Sequence, residues 1–291
     1  MNYSIIIPYC DTPELLLRAI QSVPDRQDIE ILVVDNGMTP LDSSVLSDRQ
    51  NVLLLQSPVG KGAGVARNVG LSRAKGKWLL CLDADDYFTN GTFDVFDKYV
   101  NAKEDILFFE FTSCYSEDGT PATRHIEFNT LIERYLQEHN DHILRYEWTS
   151  PCGKMIRMQV IKDQQIRFEE THAANDVMFS LLTGHYATSV DAIAIPVYCA
   201  TIRKGSLTTT TSLAHLTDRI DVCIRYNKFV RAQGFAKYQK SIMYYIYLAC
   251  KQFGPVTAIR LFGHSFAQGN NPLIGMTRWL RTIKKATKQH Q

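Results

Sequence analysis

No stretch of this 291-residue sequence reaches the roughly 18 consecutive apolar residues that a membrane-spanning helix requires, so an integral membrane protein is not expected. The N-terminal "MNYSIIIPYC" places only three isoleucines before Pro8 and has no basic residue ahead of them, which excludes a secretory signal on this pattern. The seven cysteines are scattered, with no C-x-x-C pair and no histidine cluster at zinc spacing, so neither a disulfide framework nor a zinc site is indicated. A reducing cytoplasm is the expected setting. Basic charge is also not in excess: 32 Lys and Arg stand against 30 Asp and Glu, which gives a generic polyanion binder no support and makes nucleic acid an unexpected partner. Internal repeats and low-complexity linkers are absent. What remains is a globular chain, 45% hydrophobic, with enough apolar residues for a large core.

The first hundred residues alternate between two hydrophobic periods. "YSIIIPY", "IEILVVD", "VLLLQ" and "KWLLCLD" are short apolar runs suited to buried strands. "PELLLRAIQSV" and "GVARNVGLSRAK" have helical spacing, the first with Pro13 near its start and the second with Gly76 as its stop. Strands alternating with helices predict parallel βαβ units and an α/β domain, whose ligand crevice lies beyond the carboxyl ends of the strands. Asp35 and Asp83 each end a strand, and Tyr9 to Asp11 follow the first one, so three strand ends deliver polar groups to one rim.

Beyond residue 105 the pattern loosens. "DILFFEF" and "TSVDAIAIPVYCAT" read as strands, "SEDGTP" as a turn, and "NTLIERYLQEH", "MQVIKDQ" and "NDVMFSLLTGH" as helices. This half is expected to complete the sheet and form the second wall of a cleft. After about Thr211 only helical periods remain, in "LTDRIDVCIRYNKFVRAQ" and "QKSIMYYIYLACKQFG", and this end is expected to pack on the α/β body.

The cluster Asp83, Asp85, Asp86 at the end of "KWLLCLD" has two readings. It is either a solvated turn leading to Asn90-Gly91, or a D-x-D whose carboxylates converge on a divalent cation held jointly with substrate phosphates, as Mg²⁺ commonly is. "GKGAG" is neither a Walker loop, since no G-K-[ST] follows, nor a G-x-G-x-x-G fingerprint, since Arg67 occupies the third position.

Four motifs in order decide between the two. Pro8-Tyr9-Cys10-Asp11, Val34-Asp35-Asn36-Gly37-Met38, Ala66-Arg67-Asn68-Val69-Gly70 and Leu82-Asp83-Ala84-Asp85-Asp86 resemble the P-x-Y-N, V-D-D-G-S, A-R-N-x-G and L-D-x-D-D pattern of the inverting family 2 glycosyltransferases. The resemblance covers roughly residues 3 to 205 and implies a GT-A, Rossmann-like fold: a mostly parallel central sheet flanked by helices. The implied organisation is a GT-A domain over 1–210, nucleotide-binding over 1–110 and acceptor-binding over 111–210, with a C-terminal helical region over 211–291.

The resemblance also implies a site. Pro8, Tyr9, Asp11, Asp35, Asn36, Gly62, Arg67, Asp83, Ala84 and Arg203 would bind the nucleotide diphosphate, and Asp83, Asp85 and Asp86 would hold Mn²⁺ or Mg²⁺. Cys10 stands at the family's base-stacking aromatic and Asn36 at its second aspartate, so Tyr9 would supply any stacking; a UDP-sugar is the favoured donor. "HAANDVMFS" resembles the family's G-E-D-x-x-F, with Ala174-Asn175 for Gly-Glu, which makes Asp176 the implied base that takes the acceptor hydroxyl proton. A plain helix cap is the competing role for Asp176. "TSPCGKMIRMQVI" resembles W-N-K-x-x-R, and "VYCATIRKGSLT" a late segment in which Arg203 and Lys204 would close on the diphosphate. His172 is a further candidate for the acceptor side, against simple solvation.

The chain ends in "GMTRWLRTIKKATKQHQ", where Trp279, Leu280 and Ile283 alternate with five basic residues. Such a helix either lies on an anionic membrane surface or is merely solvated. The implied acceptor is a glycan or a lipid-linked sugar of bacterial surface polysaccharide assembly, reached from the inner face of the membrane. The alternative from another class is a non-catalytic sugar-nucleotide or glycan-binding partner; a nucleotidyltransferase would want glycines and lysines after the first strand, which "PYCDTPELL" lacks.

Overall fold

The computed structural model describes residues 1–203 and 212–276. The chain divides into two compact units, Met1–Ser206 and Leu207–Gln291.

The first unit runs β1 (Tyr3–Tyr9), α1 (Pro13–Gln21), β2 (Ile29–Asp35), β3 (Val52–Gln56), α2 (Ala63–Arg73), β4 (Trp78–Cys81), β5 (Tyr87–Phe88), α3 (Thr92–Lys98), β6 (Ile106–Tyr115), α4 (Ile126–Glu138), α5 (His142–Glu147), β7 (Lys154–Arg157), α6 (Met158–Asp163), α7 (Val177–Tyr186) and β8 (Val190–Ile202). One sheet holds all eight strands in the order β3-β2-β1-β4-β7-β6-β8-β5. β3, β2, β1 and β4 are mutually parallel, β7 is antiparallel to both its neighbours, β6 and β8 are parallel to each other, and β5 closes the edge antiparallel to β8.

β1 lies at the centre of the parallel half because its isoleucines can be buried on both faces. Ile5, Ile6 and Ile7 are fully enclosed, and Ile6 pairs with both Leu32 and Cys81. α2 packs closely on this strand through Gly70, where a Cβ would come 2.7 Å from Ile6 Cγ2. α2 ends at Arg73, so Gly76 is not the stop that the helical period implied. Its role is close approach: any side chain there would collide with the backbone nitrogen of Ser4.

The pairing of β6 with β8 contains a bulge. Phe109 pairs with Ile193, Glu110 with Pro196 and Phe111 with Tyr198, so β8 carries extra residues opposite Glu110 and bends. This shift aims Phe111, Tyr198 and Ala200 into the cleft.

The second unit contains α8 (Leu213–Ala232), α9 (Met243–Phe253) and α10 (Pro255–Ala267). Leu216, Ile220, Ile224, Ile246, Ala249, Ala258 and Leu261 form its own core. Gly254, at φ 86, ends α9 and starts α10 in one residue, with Pro255 in the first turn where its missing N–H costs nothing. The terminal segment with Trp279, Leu280 and Ile283, and the residues Lys204, Gly205 and Ser206, lie outside the described residues.

Candidate active site

Three loops meet at the carboxyl end of the parallel strands. Asp11, exposed and at φ 51, accepts hydrogen bonds from the backbone N–H groups of Met38 (3.1 Å) and Thr39 (3.1 Å), which hold its carboxyl below the usual range. Asp35 is buried and accepts from Gly37 N (2.9 Å) and Leu41 N (2.9 Å), so it shapes the turn after β2. The Asn36 amide is spent on the same framework: Nδ2 donates to Ser57 Oγ (3.1 Å) and Pro58 O (2.7 Å), and Oδ1 accepts from Gly62 N (3.0 Å). An aspartate at 36 could not make the two donations, which gives the departure from V-D-D-G-S a structural cause. Pro8 pairs with Val34 inside the sheet. Tyr9, the last residue of β1, is enclosed in the core, only 3% exposed, while Cys10 and Asp11 after it are exposed.

The acidic loop after β4 is pinned from below by β8. Tyr198 Oη accepts from Asp83 N (3.2 Å) and donates to Asp86 Oδ2 (2.7 Å). Thr201 donates from its N–H to Asp86 Oδ1 (2.7 Å) and from Oγ1 to the Asp85 carbonyl (2.6 Å), which Arg18 also reaches. Asp86 is therefore a buried anchor with both oxygens engaged, and burial beside Asp85 and Asp83 pushes its carboxyl up to about 8. Asp83 and Asp85 keep partly exposed side chains, 30% and 29%, and the cavity beside the loop is lined by Asp83 and Asp86. Burial and the nearby Asp83 raise the Asp85 carboxyl, while Arg203, 3.8 Å away, opposes them. Ala84 between them is buried.

Arg67 and Asn68 of α2 connect this loop to the one before α7. Arg67 Nη2 donates to Asp83 Oδ1 (2.6 Å) and Nη1 to Asn175 Oδ1 (2.8 Å), with the guanidinium over the Phe168 ring at 5.3 Å. Burial alone would weaken its charge, and the Asp83 and Asp176 carboxylates more than offset that. Asn68 clamps Phe168 twice, donating from Nδ2 to its carbonyl (3.0 Å) and accepting its N–H at Oδ1 (2.9 Å). Gly64 lets the loop lie against the helix, since a Cβ there would overlap the Glu169 carbonyl.

Asp176 occupies the N-cap of α7, yet its side chain makes no capping hydrogen bond. The competing structural role is thus unfilled. Burial and Asp83 raise its carboxyl, with Arg67 acting against them. It opens on a cavity of about 210 Å³ whose walls include Asp83, Arg124, Glu127, Phe128 and Tyr198. Phe111, Phe128 and Trp148 form an aromatic wall, with ring centroids 4.7 Å apart for Phe111–Phe128 and 4.9 Å for Phe128–Trp148. Gly153, at φ 66, stands where the related pattern has asparagine, because the Phe111 ring fills that space and would lie 2.6 Å from a Cβ.

Lys154, beside it, is buried against the Phe108 ring at 5.2 Å, and burial lowers its amine to about 7. Arg124 and Phe128 carried no motif signal and become visible only through the fold, and Tyr198 and Thr201, inside the "VYCATIRKGSLT" segment, were given no role there. His172 is exposed in the loop before α7 and does not line the cavity. Arg203 is half exposed, and Gly62 starts α2 at φ 88.

A chain with this sheet order and this rim of carboxylates has the architecture of a GT-A glycosyltransferase. The comparisons agree: residues 4–164 match the family model described as glycosyl transferase family 2. The chain therefore belongs to glycosyl transferase family 2. An uncharacterised glycosyltransferase of Mycoplasma genitalium is 30% identical over 202 residues, 65% of this chain and 66% of that protein. The poly(ribitol-phosphate) beta-N-acetylglucosaminyltransferase TarS of Staphylococcus aureus is 26% identical over 216 residues, 70% of this chain but 36% of TarS. The chain thus spans less than two thirds of either relative. The crystal structure of TarS residues 1–349 with UDP-GlcNAc superposes with a TM-score of 0.62 at 22% identity, covering 78% of this chain and 65% of that one, a likeness of fold.

Proposed function

We propose that this chain transfers a sugar from a nucleoside diphosphate donor, a UDP-sugar in the favoured case, to an acceptor hydroxyl with inversion, and that Asp176 takes the hydroxyl proton. The observation that carries the reading is the Asp176 carboxylate: raised by burial, unspent as a cap, and open to a cavity that also reaches Asp83. A carboxylate raised above its ordinary range is better suited to take a proton from a hydroxyl than an ordinary one. That TarS is named as an N-acetylglucosaminyltransferase and was crystallised with UDP-GlcNAc and with UDP supports the donor class. The acceptor is proposed to be a glycan or lipid-linked sugar, held between the aromatic wall and Asp176.

A divalent cation, Mn²⁺ or Mg²⁺, belongs to the same proposal. Asp85 fits it: a half-buried, raised carboxylate is a hard oxygen donor in want of positive charge, and Asp83 stands beside it. Asp86 fits less well, since both of its oxygens already accept short hydrogen bonds. Among the described residues no three His, Cys, Asp or Glu side chains are grouped to hold a metal, so a cation here would draw its remaining ligands from phosphates and water. When bound, it would neutralise charge that gathers on the departing diphosphate. Arg203 adds fixed positive charge at the same edge.

The location follows as a further part of the proposal, the inner side of a membrane bearing the acceptor, with the basic segment after residue 276 as one contact. Thermal unfolding with UDP, GDP, CMP and dTDP, with and without Mn²⁺, tests the donor site, because a ligand of the folded state raises apparent stability. A manganese-dependent rise with one diphosphate that is lost in Asp85→Ala is the expected result; no rise with any of them would overturn the reading. Nucleotide-sugar turnover that Asp176→Asn abolishes while donor binding persists assigns the base, and binding without turnover in the parent would instead establish a non-catalytic partner.

A further inference from the structure

The near-neutral chain is split into two units of opposite charge. Residues 1–206 carry 19 Lys and Arg against 28 Asp and Glu, a formal −9, whereas residues 207–291 carry 13 against 2, a formal +11. The described part of the second unit alone, 212–276, holds 8 basic residues and 2 acidic ones. One of those two, Asp221, is already paired with His264 at 2.7 Å.

The same unit leaves apolar side chains outside. On α10, Val256, Ile259 and Phe266 are 71%, 72% and 71% exposed. At about 3.6 residues per turn they share one side of the helix with Arg260, opposite the buried Ala258, Leu261 and Ser265. α9 repeats the arrangement: Tyr244 and Tyr247 are exposed on one side with Lys251, while Ile246 and Ala249 are buried on the other. Single exposed apolar residues are ordinary, but aliphatic and aromatic faces on two consecutive helices, each with a cation, are not explained by the helical core.

We infer that the outward faces of α9 and α10 dock in the headgroup region of an anionic lipid bilayer. No described helix is long and apolar enough to cross a membrane, so the contact is in the plane of the surface. There apolar side chains reach the acyl boundary, tyrosines sit at the headgroups, and Lys and Arg meet anionic lipid. A second copy of the chain is a poor occupant, because two +11 units repel. Nucleic acid would neutralise the charge but would not reward burial of Val256, Ile259 and Phe266. This docking stands apart from the sugar-transfer reading and does not need the segment after residue 276, since residues 212–276, which contain α9 and α10, are by themselves a formal +6.

Co-sedimentation of the full chain with vesicles tests it. Binding is expected to phosphatidylcholine vesicles containing phosphatidylglycerol and not to phosphatidylcholine alone, and it should weaken as salt rises. The double variant Ile259→Asp/Phe266→Asp, and separately Lys251→Glu/Arg260→Glu, should each weaken binding about tenfold or more. Leu136→Asp, an exposed apolar site of the first unit, should leave it unchanged. Circular dichroism melts confirm folding, and UDP-induced stabilisation, which these variants should not alter, keeps failure here distinct from failure of the donor site. Parent-like binding by both double variants would overturn the inference, as would binding lost only on charge reversal of Arg281 and Lys284. Chain dimers that dissociate in Ile259→Asp/Phe266→Asp, or duplex DNA binding that needs the same residues, would overturn it in favour of those partners.

Discussion

Arg67 holds Asp83 with one terminal nitrogen, at 2.6 Å, and Asn175 with the other, at 2.8 Å. The first partner belongs to the acidic loop after β4 and the second stands next to Asp176. A single buried guanidinium thereby fixes the separation between the proposed donor and base sides of the site. The A-R-N motif of α2 reads, in this protein, as a bracket: arginine ties the two loops, and asparagine clamps Phe168 at the start of the second.

Replacing Arg67 tests that bracket. Arg67→Met removes both bonds and leaves the buried Asn175 amide oxygen without its donor and Asp83, itself partly solvated, without its cation. The expected loss is about 2–3 kcal/mol by urea denaturation, below the range for a wholly buried pair because water can screen Asp83. Transfer should fall more steeply than donor binding, since the base loop loses its position. Equal losses in both would mean that Arg67 serves the donor alone.

Asp176 sets a pH dependence. Its folded carboxyl is raised above the unfolded value of about 3.9. Below that value both states are protonated and the residue is neutral to stability; as pH climbs through the folded value, the buried charge becomes a cost that persists at neutrality. Asp176→Asn should therefore raise Tm at pH 7, with the gain vanishing in acid, while abolishing transfer. In the parent, kcat/KM should drop on an acid limb that lies above the unfolded carboxyl's value. A limb near 4, or a lower Tm in Asp176→Asn, would contradict this.

Much of this arrangement was legible before any coordinates. Apolar runs gave β1, β2, β3, β4, β6 and β8, and the rule that crevices lie at strand ends gathered Asp11, Asp35, Asp83 and Asp85 onto one rim. Short elements were not legible: β5 has two residues and β7 four, too few to show a period, and both exist because longer neighbours offer them free hydrogen bonds. Long-range pairings were equally silent. Nothing local in Asn68 foretells a clamp on Phe168, one hundred positions on, and nothing in Gly76 distinguishes a helix stop from a contact with Ser4. Tyr9 was expected to supply base stacking because Cys10 stands at the family's stacking aromatic; it is the last residue of β1 and is buried. Substituted motif positions become intelligible only with their neighbours, as when Gly153 makes room for Phe111.

Lys154 carries a second linkage, with the opposite sense. Burial lowers its amine to about 7, from an unfolded value near 10.5. Above that unfolded value the amine is neutral in both states and costs nothing; as pH falls, the unfolded chain gains the proton first, and the penalty is complete once pH drops below the folded value. Lys154→Met should thus stabilise the protein at pH 7 by about 2 kcal/mol, a fraction of the linkage because the methionine must repack against Phe108. The difference should shrink toward pH 10 in thermal melts recorded across the range. A destabilised Lys154→Met at neutral pH would show that the amine is held by an anion, and that burial does not govern it.

Ala174 is the last test, and it concerns the conformation that delivers Asp176. Its φ is 57, in the left-handed region where a Cβ crowds the following carbonyl, and it stands where the related motif has glycine. Two residues later the chain enters α7 with Asp176 at the N-cap, so this turn sets the direction from which the carboxylate enters the cleft. Ala174→Gly removes the steric cost and adds some unfolded-state entropy, for an expected net gain of about 0.5–1 kcal/mol in urea denaturation. Because Arg67 and Asn68 already hold both ends of the loop, kcat should remain within about twofold of the parent, a change of about 0.4 kcal/mol in barrier. A large fall in kcat with unchanged stability would instead mean that the alanine's strain is needed to hold Asp176 in place, and that the bracket alone does not suffice.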